Sequence, residues 1–353
     1  MASEKPLKVL IVGASISGLT LAHCLDRVNI DYEIFDGHPV APPVGASICL
    51  LPNGVAVLDQ LGLYKSLAAI TRKLKNVAIY ASSGRLIKST NDGHLLEQSV
   101  GYTGCMLPRQ ALVQMLYDHI ADKSKIHAGS GNKVRRVEHR DDCIELHTAD
   151  GAVIRGDLVV GCDGVHSTIR SEMWRIARAA QPEAFAEDAS GTPVSVNAGQ
   201  GGNSAIEDAA ACANALNAAV KASSPSRGPS SLSLAEITTA LGRYQDARLP
   251  RMLKINSASR DLCRIQGAEG IRHALFVAVS WLKSAPWMEM QEDVVRGAVT
   301  LDFLPASTRY VKAAALPTEK GGFFSLASLL VLSVGLLAGV GIGIFLNKSP
   351  IVG

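Results

Sequence analysis

Aromatic residues make up only 5% of the 353 residues, and cysteine appears seven times. Cys24, Cys49, Cys105, Cys143, Cys162, Cys212 and Cys263 are odd in number and scattered, with no C-x-x-C pair. That spacing argues against a disulfide framework or a zinc site and fits a reducing compartment. His23, His119 and His147 stand alone as helix or strand positions, so no metal is expected. Trp174, Trp281 and Trp287 read as packing residues. Charge is also sparse, at 19% charged residues with a net +3 and no long run of one sign. Composition therefore gives no reason to expect a nucleic-acid partner. The N-terminus, Met-Ala-Ser-Glu-Lys-Pro, lacks a charged segment followed by a separate apolar stretch, so no signal peptide is expected. No internal repeat is present.

Hydrophobic residues reach 47%, enough for two packed domains or one large one. Lys8 to Val12 is a β-branched apolar run, Leu19 to Val28 has helical periodicity, and Asp31 to Phe35 is a second strand closed by Asp36. Further on, Asn53 to Ala69 and Arg109 to Ala121 read as helical, and 76–80 with 85–89 as a hairpin. Residues 134–138, 143–148 and 153–155 form a meander, and Leu158 to Gly161 a buried strand. Ser204 to Ala219 is an Ala-rich helix, and Leu234 to Ser259 is helical with a break near Pro250. From Gly321 to Leu346 every residue is apolar, small or Ser. That run predicts a transmembrane helix, a tail anchor holding the rest of the chain in the cytosol. Gly335, Gly339 and Gly343 lie on one face of it and offer a surface for a helix-mediated dimer.

Between the first strand and its helix lies Gly13-Ala-Ser-Ile-Ser-Gly18. Gly13 lets the chain leave the strand sharply, the small Ser15 lets backbone approach a pyrophosphate, and Gly18 permits close helix–strand packing. The helix N-terminus then offers free N–H groups to phosphates, and Asp36 is placed to accept ribose hydroxyls. On this reading Gly13→Val blocks the pyrophosphate and leaves the fold intact. Two later motifs also close strands or open helices: Gly161-Cys-Asp-Gly164, and Gly199-Gln-Gly-Gly-Asn-Ser-Ala-Ile-Glu-Asp208. The second supplies N–H donors suited to an anion or a polarised ring oxygen.

These motifs, with Gly45-Ala-Ser-Ile48, Leu51-Pro-Asn-Gly54, Leu58-Asp-Gln-Leu-Gly-Leu-Tyr64 and Pro108-Arg-Gln110, give the chain a clear resemblance. It resembles the FAD-dependent aromatic-hydroxylase superfamily, and within it the fungal FAD-dependent monooxygenases of the paspaline-epoxidase type. The likeness covers roughly residues 7–170 and 199–260. It implies an α/β fold with a Rossmann-like FAD-binding domain, here with a partial substrate-domain β-sheet and the C-terminal transmembrane helix. The resemblance implies FAD held by Gly13, Ser15, Gly18, Asp36, Gly45, Arg109, Asp163, Asp188, Gly201 and Gly202. It implies NADPH or NADH as electron donor, and oxygen transfer from a flavin C4a-hydroperoxide formed with O₂. The implied substrate is a lipophilic terpenoid, meroterpenoid or polyene, epoxidised or hydroxylated, and the implied location is the endoplasmic reticulum membrane. The expected organisation is a βαβ unit with following helices over 1–75, partial substrate strands over 76–106, the rest of the flavin domain over 107–260, an irregular region over 261–320, and the membrane helix over 321–346.

The chain departs from the pattern in one place. The family's substrate strands lie between the Asp-Gly motif and a later Gly-Asp, whereas here only Ser171 to Glu187 separates Arg170 from Asp188. Two other functions therefore stay open: a truncated, non-catalytic flavin-binding paralogue, and a flavin-dependent dehydrogenase or reductase.

Overall fold

A computed structural model describes residues 6–45, 47–80, 84–180, 199–223, 232–266, 291–292 and 294–309. The chain divides into two units, Met1–Leu316 and Pro317–Gly353, and every described residue belongs to the first. In chain order the elements are β1 (Lys8–Val12), α1 (Ile16–Asp26), β2 (Asp31–Asp36), β3 (Ser47–Leu50), α2 (Pro52–Gln60), α3 (Tyr64–Ile70), β4 (Arg72–Lys73), β5 (Val77–Tyr80), β6 (Leu86–Thr90), α4 (Asp92–Val100), β7 (Cys105–Pro108), α5 (Arg109–Asp118), β8 (Ile126–Ala128), β9 (Val134–His139), β10 (Ile144–Thr148), β11 (Val153–Gly156), β12 (Leu158–Gly161), α6 (Thr168–Ala180), α7 (Gln200–Ala222) and α8 (Leu234–Gln266).

Four strands form a parallel sheet in the order β12-β1-β2-β8. The period of two along β1 separates its side chains between two cores. Val9 and Ile11 join the core shared with α1, α2, α5 and α7, while Leu10 and Val12 join Phe35, Val134, Val137 and Leu146 against the β11-β10-β9 meander. The edge strand β9 is covered by α6: Glu172 accepts the Val137 N–H at 3.0 Å and Arg175 donates to the Val137 carbonyl at 2.9 Å. Those two bonds satisfy backbone groups that an open edge leaves free. On the other side, β3 and β4 flank β7 in a three-stranded sheet, and β5 pairs with β6 in a two-stranded one. His23 sits in the α1–α5 core, where its Nε2 donates to the Leu116 carbonyl at 2.9 Å, and burial lowers its pKa.

Three expectations are corrected. Residues 321–346 lie outside the described residues, and among the described residues no helix is long and apolar enough to cross a membrane. Helices α7 and α8 have the length, but Glu207, Asp208 and Lys221 interrupt the first, and Arg243, Asp246, Arg248 and Arg251 the second. The fold is therefore the α/β flavin-type fold with a partial substrate side and, among the described residues, no transmembrane helix. The expected membrane partner, single-pass anchor, endoplasmic reticulum location and helix-mediated dimer are withdrawn with it. Second, α8 runs unbroken through Pro250. Proline costs the helix one hydrogen bond there, and Arg248 and Arg251, on either side of it, are both anchored in the core (below). Third, α7 begins at Gln200 rather than Ser204, so the second glycine-rich segment is largely the first turn of a helix.

Candidate functional site

The turn after β1 is built as its glycines require. Gly13 has φ +114° and donates its N–H to the Phe35 carbonyl at 2.8 Å. A Cβ on Gly13 would lie 2.3 Å from the Cys162 carbonyl oxygen, and one on Gly18 would lie 1.9 Å from the Gly13 carbonyl oxygen. Ser15 is the N-cap of α1 in extended conformation and makes no side-chain cap. The first-turn N–H groups of α1 are thus left for an outside acceptor. Ser15 Oγ instead accepts a 2.6 Å hydrogen bond from Arg109 Nη2, carried by the first residue of α5. The Arg109 side chain also passes Gly45, which is exposed at a φ of +112°, with Arg109 Cδ 3.7 Å from a Cβ built there. At the end of β2, Asp36 Oδ2 accepts the Ala14 N–H at 2.8 Å and Oδ1 the His38 N–H at 2.9 Å, so this carboxylate is fixed beside the glycine turn.

The start of α7 joins the same region. Gly199, at φ +63°, is its N-cap and makes no side-chain cap. Gly202 packs so tightly that a Cβ would sit 2.5 Å from Ile48 Cδ1 and 3.6 Å from Ile16 Cδ1. The N-termini of α1 and α7 therefore meet over β3, both with unfilled donors and both with the positive end of a helix dipole. Gly201 is exposed, with nothing within 4 Å of a Cβ built on it.

Residues 6–181 match the family model described as an FAD binding domain. Among curated proteins, the FAD-dependent monooxygenase aurC of Calcarisporium arbuscula is 42% identical over 176 residues, which is 50% of this chain and 36% of aurC. The FAD-dependent monooxygenase andE of Emericella variicolor is 42% identical over 184 residues, covering 51% of this chain and 38% of andE. Among solved structures, a single-substitution variant of HpxO from Klebsiella pneumoniae, complexed with FAD, superposes with a TM-score of 0.66 at 17% identity. That match covers 83% of this chain and 99% of HpxO. p-Nitrophenol 4-monooxygenase PnpA from Pseudomonas putida gives a TM-score of 0.64 at 15% identity, covering 82% and 97%. Over residues 6–181, about half of the chain, it is thus similar to an FAD binding domain and to the corresponding part of FAD-dependent monooxygenases. It spans well under half the length of the curated relatives it matches.

The donor set fits FAD. Among the described residues no carboxylate pairs with Arg109, which leaves its charge available to a diphosphate beside the uncapped α1 N-terminus. Asp163, just after β12, is differently engaged. Its Oδ2 accepts the Thr168 and Ile169 N–H groups at 2.6 and 3.1 Å, and its Oδ1 accepts Ser167 Oγ at 2.5 Å. The Asp-Gly motif thus caps α6 with its side chain, while its backbone stands against Gly13. Asp188 lies outside the described residues. The structure therefore gathers Gly13, Ser15, Gly18, Asp36, Gly45, Arg109, Gly201 and Gly202 around the two helix starts.

Sequence reasoning assigned no role to the residues that hold this arrangement. Glu207, fully buried in α7, accepts from Asn53 Nδ2 at 2.6 Å and from Arg251 Nε and Nη2 at 2.7 and 2.8 Å, and also pairs with Arg248. Burial works to raise its pKa, but the Arg251 and Arg248 contacts hold it below the ordinary carboxylate value. Two acids in an otherwise Ala-rich helix, followed by two arginines three residues apart, were the available signal. At the far end of the meander, Glu138, Glu145 and His147 bring ligand-type atoms within 4.8 Å of one another. Arg136, Arg140 and Arg155 already pair with these carboxylates, and the adjoining 540 Å³ cleft is lined by charged groups. That cluster fastens β9, β10 and β11 and lacks the apolar lining of a substrate pocket.

Proposed function

We propose that this protein is an FAD-dependent monooxygenase that uses NADPH or NADH and O₂ to epoxidise or hydroxylate a lipophilic terpenoid, meroterpenoid or polyene. The observation that carries the reading is the Arg109–Ser15 hydrogen bond, which sets a guanidinium that no described carboxylate pairs at the uncapped start of α1. The α1 N–H groups and Arg109 would hold the pyrophosphate, Asp36 the ribose, and the start of α7 the polarised end of the flavin ring. FAD held there would supply the redox chemistry, hydride acceptance from the nicotinamide and activation of O₂, one oxygen atom of which would go to substrate and the other to water. No side-chain nucleophile or general base is assigned. The protein's own work is to position the cofactor and exclude water. On this reading residues 1–75 and 107–260 form the flavin domain and 76–106 lie on the substrate side. Exposed Tyr80 and Leu86 of the β5–β6 hairpin suit an apolar substrate there.

The test is NAD(P)H consumption by the purified chain under O₂, with and without candidate prenylated polyenes. Substrate-stimulated consumption with a product gaining one oxygen atom supports the proposal. A yellow protein that consumes no NAD(P)H supports the non-catalytic alternative, and a desaturated or reduced product the dehydrogenase or reductase.

A further inference from the structure

The Gly199–Gly202 turn and the Gly45–Leu51 segment lie about 150 residues apart in sequence, and one side chain ties them. Asn203 is fully buried in the first turn of α7. Its Oδ1 accepts the Leu51 N–H at 2.9 Å. Its Nδ2 donates to the Cys49 carbonyl at 2.9 Å and to the Gly199 carbonyl at 2.8 Å. One amide thus grips the end of β3 with both of its polar atoms and closes the N-cap turn of α7 as well. The fit requires a glycine opposite: a Cβ on Gly54 would lie 2.5 Å from Asn203 Oδ1.

We infer that Asn203 is a positioning residue for the flavin. Its amide fixes the Gly199–Gly202 turn at a set distance from the Gly45–Leu51 segment. The inference rests on the reading of this site as an FAD site. Only an amide does this work, because the position needs one acceptor and two donors in a single plane. Aspartate has the same shape but, when ionised, offers acceptors alone. Its carboxylate would face the Cys49 and Gly199 carbonyl oxygens, an arrangement that opens the turn. Burial beside those oxygens raises the pKa of such a carboxyl, and the protonated form regains one donor as pH falls.

The experiment measures FAD affinity of the full chain by fluorescence titration at about pH 8 and about pH 6, for wild type, Asn203→Asp and Gly54→Ala. Thermal melting without FAD checks the fold. Burial pushes the Cys49 thiol up to about 11, and Glu207 is held low by Arg251 and Arg248; His38 beside Asp36, and Asp208 of α7, whose carboxyl burial pushes up, act equally in wild type, so the wild-type difference between the two pH values is subtracted. Asn203→Asp is expected to bind FAD about tenfold more weakly at the higher pH, the worth of roughly one buried hydrogen bond, and to recover most of that at the lower pH. Wild type should change little between the two. Gly54→Ala, which displaces the amide without changing its chemistry, should weaken FAD at both pH values. Equal binding by wild type and Asn203→Asp at both pH values overturns the inference and leaves the site reading standing. A loss that does not recover at the lower pH overturns it too, since lost packing alone would do that. If Asn203→Asp does not fold, unchanged affinity in Gly54→Ala overturns it. A folded wild type that binds no FAD removes the site reading and this inference together.

Discussion

Arg109 and Gly13 border the same helix start, yet substitutions at the two should fail in different ways. Arg109 is half-buried, bonds to Ser15 and closes no core, so Arg109→Ala removes a cation without leaving a cavity. A charge-assisted bond to a phosphate is worth about 1.5–3 kcal/mol, so FAD binding should weaken roughly tenfold or more with the melting temperature little changed. Equal flavin content in Arg109→Ala and wild type would remove this residue from the site. Gly13 corrects the expectation drawn from its motif. A Cβ there meets the Cys162 backbone at 2.3 Å, and the φ of +114° strains any L side chain. Gly13→Val should therefore part β1 from β12 and cost about 3 kcal/mol or more of stability, seen as a lowered melting temperature before any flavin is added. The glycine that tests the loop without the fold is Gly201, whose Cβ meets nothing. Gly201→Val should melt like wild type and bind FAD more weakly, and a large loss of stability there would contradict this geometry.

Helices α7 and α8 pack through Ala215, Ala219 and Ala240 at one end and are tied by buried charge at the other. Arg248 is 2% exposed and Glu207 not at all, and Arg251 also donates to the Val294 and Arg296 carbonyls, so one carboxylate secures α8 and the segment after it. Replacing it with an amide leaves Arg251 without its carboxylate and Arg248 with Asp208 alone, and breaking a buried pair in that way typically costs about 3–5 kcal/mol. Glu207→Gln should melt well below wild type at neutral pH. The pH dependence has a definite sign. A carboxylate whose folded pKa lies below its unfolded value adds stability that is fully present above the unfolded value and is lost as pH falls through the folded one. Wild-type stability should therefore drop on the acid side more steeply than that of Glu207→Gln, and equal slopes would show that Glu207 carries no such linkage. This network also marks the limit of what the sequence disclosed. The apolar β-branched run in Lys8–Val12 and the Gly13–Gly18 turn made the βαβ unit legible, and turn residues such as Ala149-Asp150-Gly151 made the meander legible. Strands β3, β4 and β8 were not seen, because two to four residues are too short to show a period and their pairing is long-range. The Cys49 and Leu51 partners of Asn203 and the partners of Glu207 were hidden for the same reason: these bonds span separations that only the folded chain closes. The α1 side of the site could be read because one contiguous motif builds it, whereas the brace between β3 and α7 could not.

On the proposed assignment, and among the described residues, the flavin side is more complete than the substrate side. Among the described residues β5 and β6 pair only with each other, and Tyr80 and Leu86 are 60% and 51% exposed. Met106 of β7 and Ile70 at the end of α3 are exposed as well. A substrate resting on these side chains would be covered on one face and wetted on the other, whereas productive small-molecule sites bury most of their ligand. Water reaching activated oxygen diverts it to hydrogen peroxide, because oxygen transfer competes with release only in a closed site. The superposition on nearly the whole of HpxO pulls the other way, since a fold covered to 99% leaves little of that scaffold missing. The exposed apolar residues decide between the two, because they describe this chain's own surface, and a match at 17% identity speaks for the path of the backbone alone. The expected result is that FAD-loaded protein consumes NADPH or NADH faster than it oxygenates any lipophilic substrate, with peroxide accounting for the difference. Parallel assays of nicotinamide oxidation, peroxide and oxygenated product measure that ratio directly. One product formed per nicotinamide consumed, with no peroxide, would mean that the substrate side closes around its ligand and that the open hairpin face is covered during turnover.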